Sequence, residues 1–178
     1  YYLNKNFKNI NFHGVDVRID LINLAKKKLP SKIKLEKMDF NKKLIIKKKY
    51  DIIICSGVIS IFDNLDIVMK NIKQSLAKNS FLYFFGSFNE YDFDTRVAYK
   101  DLNSKIKNFQ TGWNLWSIKT IQSYFKKKII KYPFEIKINI KKNKKDYMRS
   151  WTIKVNNKLR FINAISFMQN QMWLEIKR

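Results

Sequence analysis

The chain has 178 residues, 46% of them hydrophobic and 15% aromatic, which suits one packed domain and excludes a disordered segment. Its formal charge is +23, and only five of its 37 basic residues are arginine (18, 96, 149, 160 and 178). There is no run of 18 apolar residues and no apolar leader at the start, and a lone cysteine excludes a disulfide framework and a cysteine metal site. These features read as a cytoplasmic protein with no membrane partner.

The first eight residues, 1–8, read as the end of a helix. Residues 9–17 form a short strand ending in an acid, Asp16. Residues 19–29 have apolar positions on one face and lysines opposite, an amphipathic helix that Pro30 stops. Asp20 near its start suits the helix dipole. A second strand covers 33–38 and ends at Asp39-Phe40, and 41–49 is a basic connection with one helical turn. The run Tyr50-Asp51-Ile52-Ile53-Ile54-Cys55 has no polar alternation, which reads as a strand buried on both faces. The small residues Ser56 and Gly57 follow it, where an open α/β sheet places its ligand. Residues 65–76 are a helix, Asn79-Ser80 turns the chain, and Phe81-Leu82-Tyr83-Phe84-Phe85 is another apolar strand closing at Gly86.

This order, β-α-β-β-α-β, is that of a doubly wound, mostly parallel α/β sheet. The second half differs. Residues 92–109 are polar and read as partly helical, and 112–116 as a loop. Ser117 is a candidate N-cap for a helix over 118–127. Residues 134–140 alternate strictly and predict an antiparallel strand with one wet face. Residues 151–155 and 158–162 form a hairpin turned by Asn156-Asn157, and 172–176 a last strand.

Four segments of this order resemble the class I S-adenosylmethionine-dependent methyltransferases. Gly14-Val15-Asp16-Val17 resembles that family's second strand, whose terminal acid holds the ribose hydroxyls. Met38-Asp39-Phe40 resembles the end of the third strand, where an acid meets the adenine amino group and its neighbour packs on the ring. Tyr50 to Val58 resembles the fourth strand, and Phe81 to Gly86 the fifth. The C-terminal antiparallel strands fit the reversed pair of the family's sheets. The resemblance implies S-adenosyl-L-methionine as cofactor, bound by Asp16, Val17, Asp39, Phe40, Cys55, Ser56 and Gly57. It places an acceptor pocket at Phe88, Asn89, Trp113 and Asn114, and it names no catalytic residue. The plainer readings are a helix-terminal acid for Asp16, a loop acid for Asp39, a tight turn for 55–57 and core anchors for Trp113 and Trp116. Asp16 also suits the ribose of a dinucleotide, but Asp39-Phe40 favours the methyltransferase.

One departure is large. The family's glycine-rich loop, an acid followed by G-x-G after a first strand, is absent. The expectation is one catalytic domain over 1–178 whose first strand lies upstream of Tyr1. The predicted activity is methyl transfer to a small-molecule or glycan-like acceptor. An RNA methyltransferase is the alternative raised by the charge, and a non-catalytic nucleotide-binding remnant the one raised by the missing loop. Lysine, asparagine and isoleucine are all heavily used, as in very AT-rich genomes, so composition accounts for the charge without a nucleic-acid partner. Lys137, Lys141, Lys142, Lys144 and Lys145 read as a solvated basic run. His13, the single histidine, reads as a packing residue. The sequence carries no signal of oligomeric state.

Overall fold

A computed structural model describes residues 2–7, 9–144, 146 and 148–178. Tyr1 and Lys8, the ends of the first predicted helix, and Lys145 of the basic run lie outside the described residues. The chain packs as two compact units, residues 1–45 and 46–178.

The first unit holds α1 (Tyr2–Asn6), β1 (His13–Asp16), α2 (Ile19–Lys28) and β2 (Lys34–Lys37). β1 and β2 pair in parallel, His13 opposite Lys34 and Asp16 opposite Lys37. His13 Nε2 lies 2.8 Å from Glu36, tying the two strands together. The lysines in the last turn of α2 suit its negative end, and Leu29 donates its N–H to Ala25 to close it.

The second unit is built on a five-stranded sheet. Its spine runs β3 (Tyr50–Ser56), β4 (Leu76–Asn89), β11 (Gln171–Lys177), β8 (Ile129–Pro133), and β7 (Trp116–Ser117) extends β4. β3 and β4 are parallel; β11 is antiparallel to both its neighbours. α3 (Asp66–Ser75) and α4 (Ile118–Phe125) supply the helical layer, and the short pair β5 (Ala98–Tyr99) and β6 (Gln110–Thr111) lies between β4 and β7 in the chain. The predicted hairpin is present as β9 (Trp151–Val155) and β10 (Lys158–Ile162). Asn156 and Asn157 both take positive φ, 46° and 61°, as a two-residue turn demands. The fold is therefore mixed α/β, with a parallel pair in each unit and antiparallel strands from the C-terminal part.

The core follows from the strand period of two. Leu82 and Phe84 of β4 lie opposite Ile176 and Leu174 of β11, and all four are fully buried. Val68, Met69 and Ile72 of α3 and Ile121 of α4 are buried as well, and Phe84 meets the ring of Phe125. Each such side chain contributes about 1.5–3 kcal/mol by leaving water. On the other face, Phe85 packs against Trp173 and Phe134 at 4.7 and 5.0 Å between ring centres.

Several expectations are corrected. β3 is not buried on both faces: Ile52 and Ile54 are 53% and 47% exposed. The reason is that, among the described residues, β3 pairs along one edge only, with β4. Asn79-Ser80 does not separate helix from strand. It is a bulge inside β4, Asn79 at φ 59°, where the β3 register jumps from Leu76 to Phe81. Residues 41–49 and 92–109 contain no helix. The strand placed at 134–140 forms instead at Ile129–Pro133, the segment that finds β11 as partner. Residues 134–140 are irregular and mostly exposed, touching β9 through Ile140 and Thr152. Alternation marked a face but found no ladder.

Candidate functional site

In the first unit, the parallel pairing brings the ends of β1 and β2 out together. Met38 donates its N–H to the Asp16 carbonyl at 2.9 Å, so Asp39 emerges beside Asp16. Asp16 Oδ1 accepts from the Arg18 N–H at 2.8 Å, and Asp39 Oδ1 from the Asn41 N–H at 3.0 Å. Lys42 Nζ lies 3.9 Å from the other Asp39 oxygen. Phe40 is half-buried, and Val17 is exposed. Two carboxylates held by their own turns, with an aromatic ring next to one, suit a ligand with hydroxyl and amino donors.

In the second unit, β3 ends at Cys55-Ser56. Gly57 then takes φ +69° while donating its N–H to Phe85 at 2.8 Å. A side chain there would meet nothing within 4 Å, so it is the left-handed backbone, not crowding, that asks for glycine. Ser56 is exposed and Cys55 half-buried. Burial pushes the Cys55 thiol up to about 12, which leaves it protonated and a poor nucleophile.

Gly57 forms part of a cavity of about 180 Å³ at the carboxyl ends of β3 and β4. Gly86 and Ser87 of β4 and Ser60 line its sheet side. Trp113-Asn114-Leu115 line it from one segment, and Asn163 with Phe167, Met168 and Gln169 from another. The first segment is pinned to the turn after β3. Asn114 donates its N–H to Ser60, and its side-chain Nδ2 to the Phe62 carbonyl and Asp63. Its Oδ1 accepts from the Val97 N–H. The Trp116 indole donates to the Ile59 carbonyl at 3.2 Å. Trp113 is held at φ +63°, an uncommon conformation for a bulky residue. Near this wall, Asp63 is held below the usual carboxylate range, first by a hydrogen bond from Thr111 and also by Asn114 and Arg96.

Of the four residues expected to form the acceptor pocket, Trp113 and Asn114 line this cavity. Phe88 is buried and Asn89's amide is spent on Phe93 and Tyr91, and neither lines it. Trp116 anchors the loop, while Trp113 faces the cavity. The wall from 163 to 169 was not anticipated from sequence. A signal existed, however. Four stretches of ten or more residues lack both lysine and arginine: 50–69, 79–95, 108–118 and 161–176. Every residue lining the cavity comes from one of them.

Residues 1–82 match the family described as "Methyltransferase domain". No curated protein matches the chain by sequence. Among solved structures, an S-adenosylmethionine-dependent methyltransferase from Methanosarcina mazei superposes with a TM-score of 0.59 at 9% identity, over 99% of this chain and 86% of that one. A complex of DhpI with S-adenosylhomocysteine (SAH) gives 0.59 at 8%, over 99% and 71%. The chain has the fold of the class I S-adenosylmethionine-dependent methyltransferases, and its residues 1–82 match their domain. The glycopeptide N-methyltransferase MtfA, complexed with SAH, has the same fold at a TM-score of 0.53 and 8% identity, over 93% of this chain and 73% of its own. Among the described residues, no three His, Cys, Asp or Glu side chains gather as a metal site, and no helix is long and apolar enough to cross a membrane.

Proposed function

We infer that the chain is an S-adenosylmethionine-dependent methyltransferase acting on a small-molecule or glycan-like acceptor held in the cavity beside Gly57. The observation that carries this reading is the place of the cavity. It opens at the carboxyl ends of two parallel strands, where open α/β sheets bind ligands. When bound, the cofactor supplies an electrophilic methyl group. The work left to the chain is to fix an acceptor in line with it, and positioning alone is worth a large part of such a barrier. Asp16 and Asp39 with Val17 and Phe40 serve the adenosine half, and residues 55–57 the methionine half. Relatives of this fold described as a glycopeptide N-methyltransferase and a coclaurine N-methyltransferase support an acceptor of this kind. Residues 1–178 are read as one catalytic domain, and the edge of β3 that has no partner among the described residues, with Ile52 and Ile54 exposed, supports a further strand pairing there. A single free thiol supports a cytoplasmic setting.

The charge of +23 favours a second reading, methyl transfer to RNA. The cavity speaks against it, because the lysines stop where its lining begins.

The test is calorimetric titration of SAH into the protein, with any residues encoded upstream of Tyr1 included and Asp16→Ala alongside. Micromolar binding, weakened in the variant by about 1.5–3 kcal/mol, is expected for hydrogen bonds to a charged group. No heat and no thermal stabilisation in a folded protein refutes the reading.

A further inference from the structure

The cavity carries a preference that the fold alone does not dictate. None of its described lining residues bears a charge, in a chain with 37 basic and 14 acidic residues. Core packing explains the missing lysines within β3, β4 and β11. It does not explain them in the loops at 108–115 and 163–170, which are solvent-facing in part.

Three amides line the cavity and are buried: Asn114, Asn163 and Gln169. Two are spent. Asn114 uses both its oxygen and its nitrogen on the chain, and the Gln169 amide pairs with Ser150. Asn163 is different. It is 1% exposed, its Oδ1 accepts from the Ile165 N–H at 3.1 Å, and its Nδ2 has no partner among the described residues. A buried amide donor without an acceptor is rare in folded proteins and calls for an explanation. The volume adds to this. A cavity of roughly 150 Å³ admits benzene, and this one, of about 180 Å³, has Trp113 and Phe167 in its lining. Trp113 is also the wall residue held in a strained backbone conformation, a state found often at ligand clamps.

We propose that the cavity selects an uncharged acceptor, with a ring-sized group against Trp113 and Phe167 and a carbonyl-type oxygen that accepts a hydrogen bond from Asn163 Nδ2. The proposal rests on the reading of this cavity as the acceptor site. It makes Asn163 a positioning residue that fixes which way the acceptor faces. It also excludes nucleotides and carboxylates, which the surface charge would otherwise attract.

The experiment uses three probes of one shape: acetophenone, ethylbenzene, which lacks the oxygen, and benzoate, which is charged. Binding is read by ligand-observed NMR at 0.5 M sodium chloride, where non-specific attraction to the surface is screened. Acetophenone is expected to bind at least about fivefold tighter than ethylbenzene, the ratio of one neutral hydrogen bond, and tighter than benzoate. Asn163→Asp keeps the acceptor for Ile165 and removes the donor; in it the preference for acetophenone over ethylbenzene disappears. Asn163→Leu gives the same loss without adding charge. Circular dichroism confirms that each variant is folded; should neither fold, the ranking in the unaltered protein decides. Equal binding of acetophenone and ethylbenzene, a preference that survives both substitutions, or a preference for benzoate overturns the proposal. SAH titrated into the same samples separates the two levels. Binding of SAH without an acetophenone preference overturns the proposal and keeps the methyltransferase reading. The preference without SAH binding keeps recognition by Asn163 and overturns its role as an acceptor site.

Discussion

Replacing Asn114 by alanine is expected to cost the second unit about 3 kcal/mol. The side chain is 1% exposed and makes three hydrogen bonds: to the Val97 N–H at 2.8 Å, the Phe62 carbonyl at 2.8 Å and Asp63 at 3.1 Å. It thus fastens the segment around residue 97 and the turn after β3 to the cavity wall. Each neutral bond is worth about 1 kcal/mol net, and a buried partner left unpaired costs about 1–3. Val97 is itself buried, so its N–H finds no easy replacement. A loss of about 3 kcal/mol is a large share of a total of about 5–15, and corresponds to roughly 6–12 °C in melting temperature at this size. The assay is urea unfolding followed by tryptophan fluorescence. All four tryptophans, 113, 116, 151 and 173, lie in residues 46–178, so the signal reads that unit alone. Asn114→Asp sharpens the test. It keeps the Val97 bond but sets a carboxylate against the Phe62 carbonyl and Asp63, so it is unstable at pH 7 and recovers as the pH falls towards 4. An alanine variant within about 0.5 kcal/mol of the parent would refute the reasoning.

Ser117→Ala should lose about 1 kcal/mol, and Ser117→Gly only a few tenths, because Ser117 Oγ accepts the Thr120 N–H at 3.0 Å as an N-cap; the order of their melting temperatures checks this. Cys55, with its thiol pushed up to about 12, should react with a disulfide reagent at pH 8 two to three orders of magnitude more slowly than free cysteine, and at the normal rate in urea. Fast labelling of the folded protein contradicts this. Asp63 has a folded pKa below its unfolded value, so the stability it lends is present above about pH 4 and is lost as the pH drops through the folded value. The stability gap between the parent and Asp63→Asn should therefore close under acid, and a gap that widens there contradicts the assignment.

What could be read from the residues alone was whatever local chemistry decides. The N-cap at Ser117, the Asn156-Asn157 turn and the amphipathic helix after Asp16 each depend on a few neighbours, and each appears where the sequence put it. What depends on a partner was not legible. Residues 134–140 alternate well but have no strand beside them, while Ile129–Pro133 gain β11. The isoleucines of β3 look like a two-sided core strand until the open edge is seen. The same limit held for the cavity. Gly57 and Trp113 stood out by type and position, but the spare donor on Asn163 becomes visible only once the other amides are seen to be satisfied.

β11 lies between β4 and β8, yet it is the last of the three to be made. A chain emerging from the ribosome holds β4 and β8 apart, each with a bare flank, through the synthesis of some forty further residues between Pro133 and Gln171. The sheet of the second unit can therefore close only late in translation. Until then its most apolar strands are available to chaperones and to other nascent chains, so the yield of folded protein should respond to translation speed and holdase supply more than to the stability of the finished sheet.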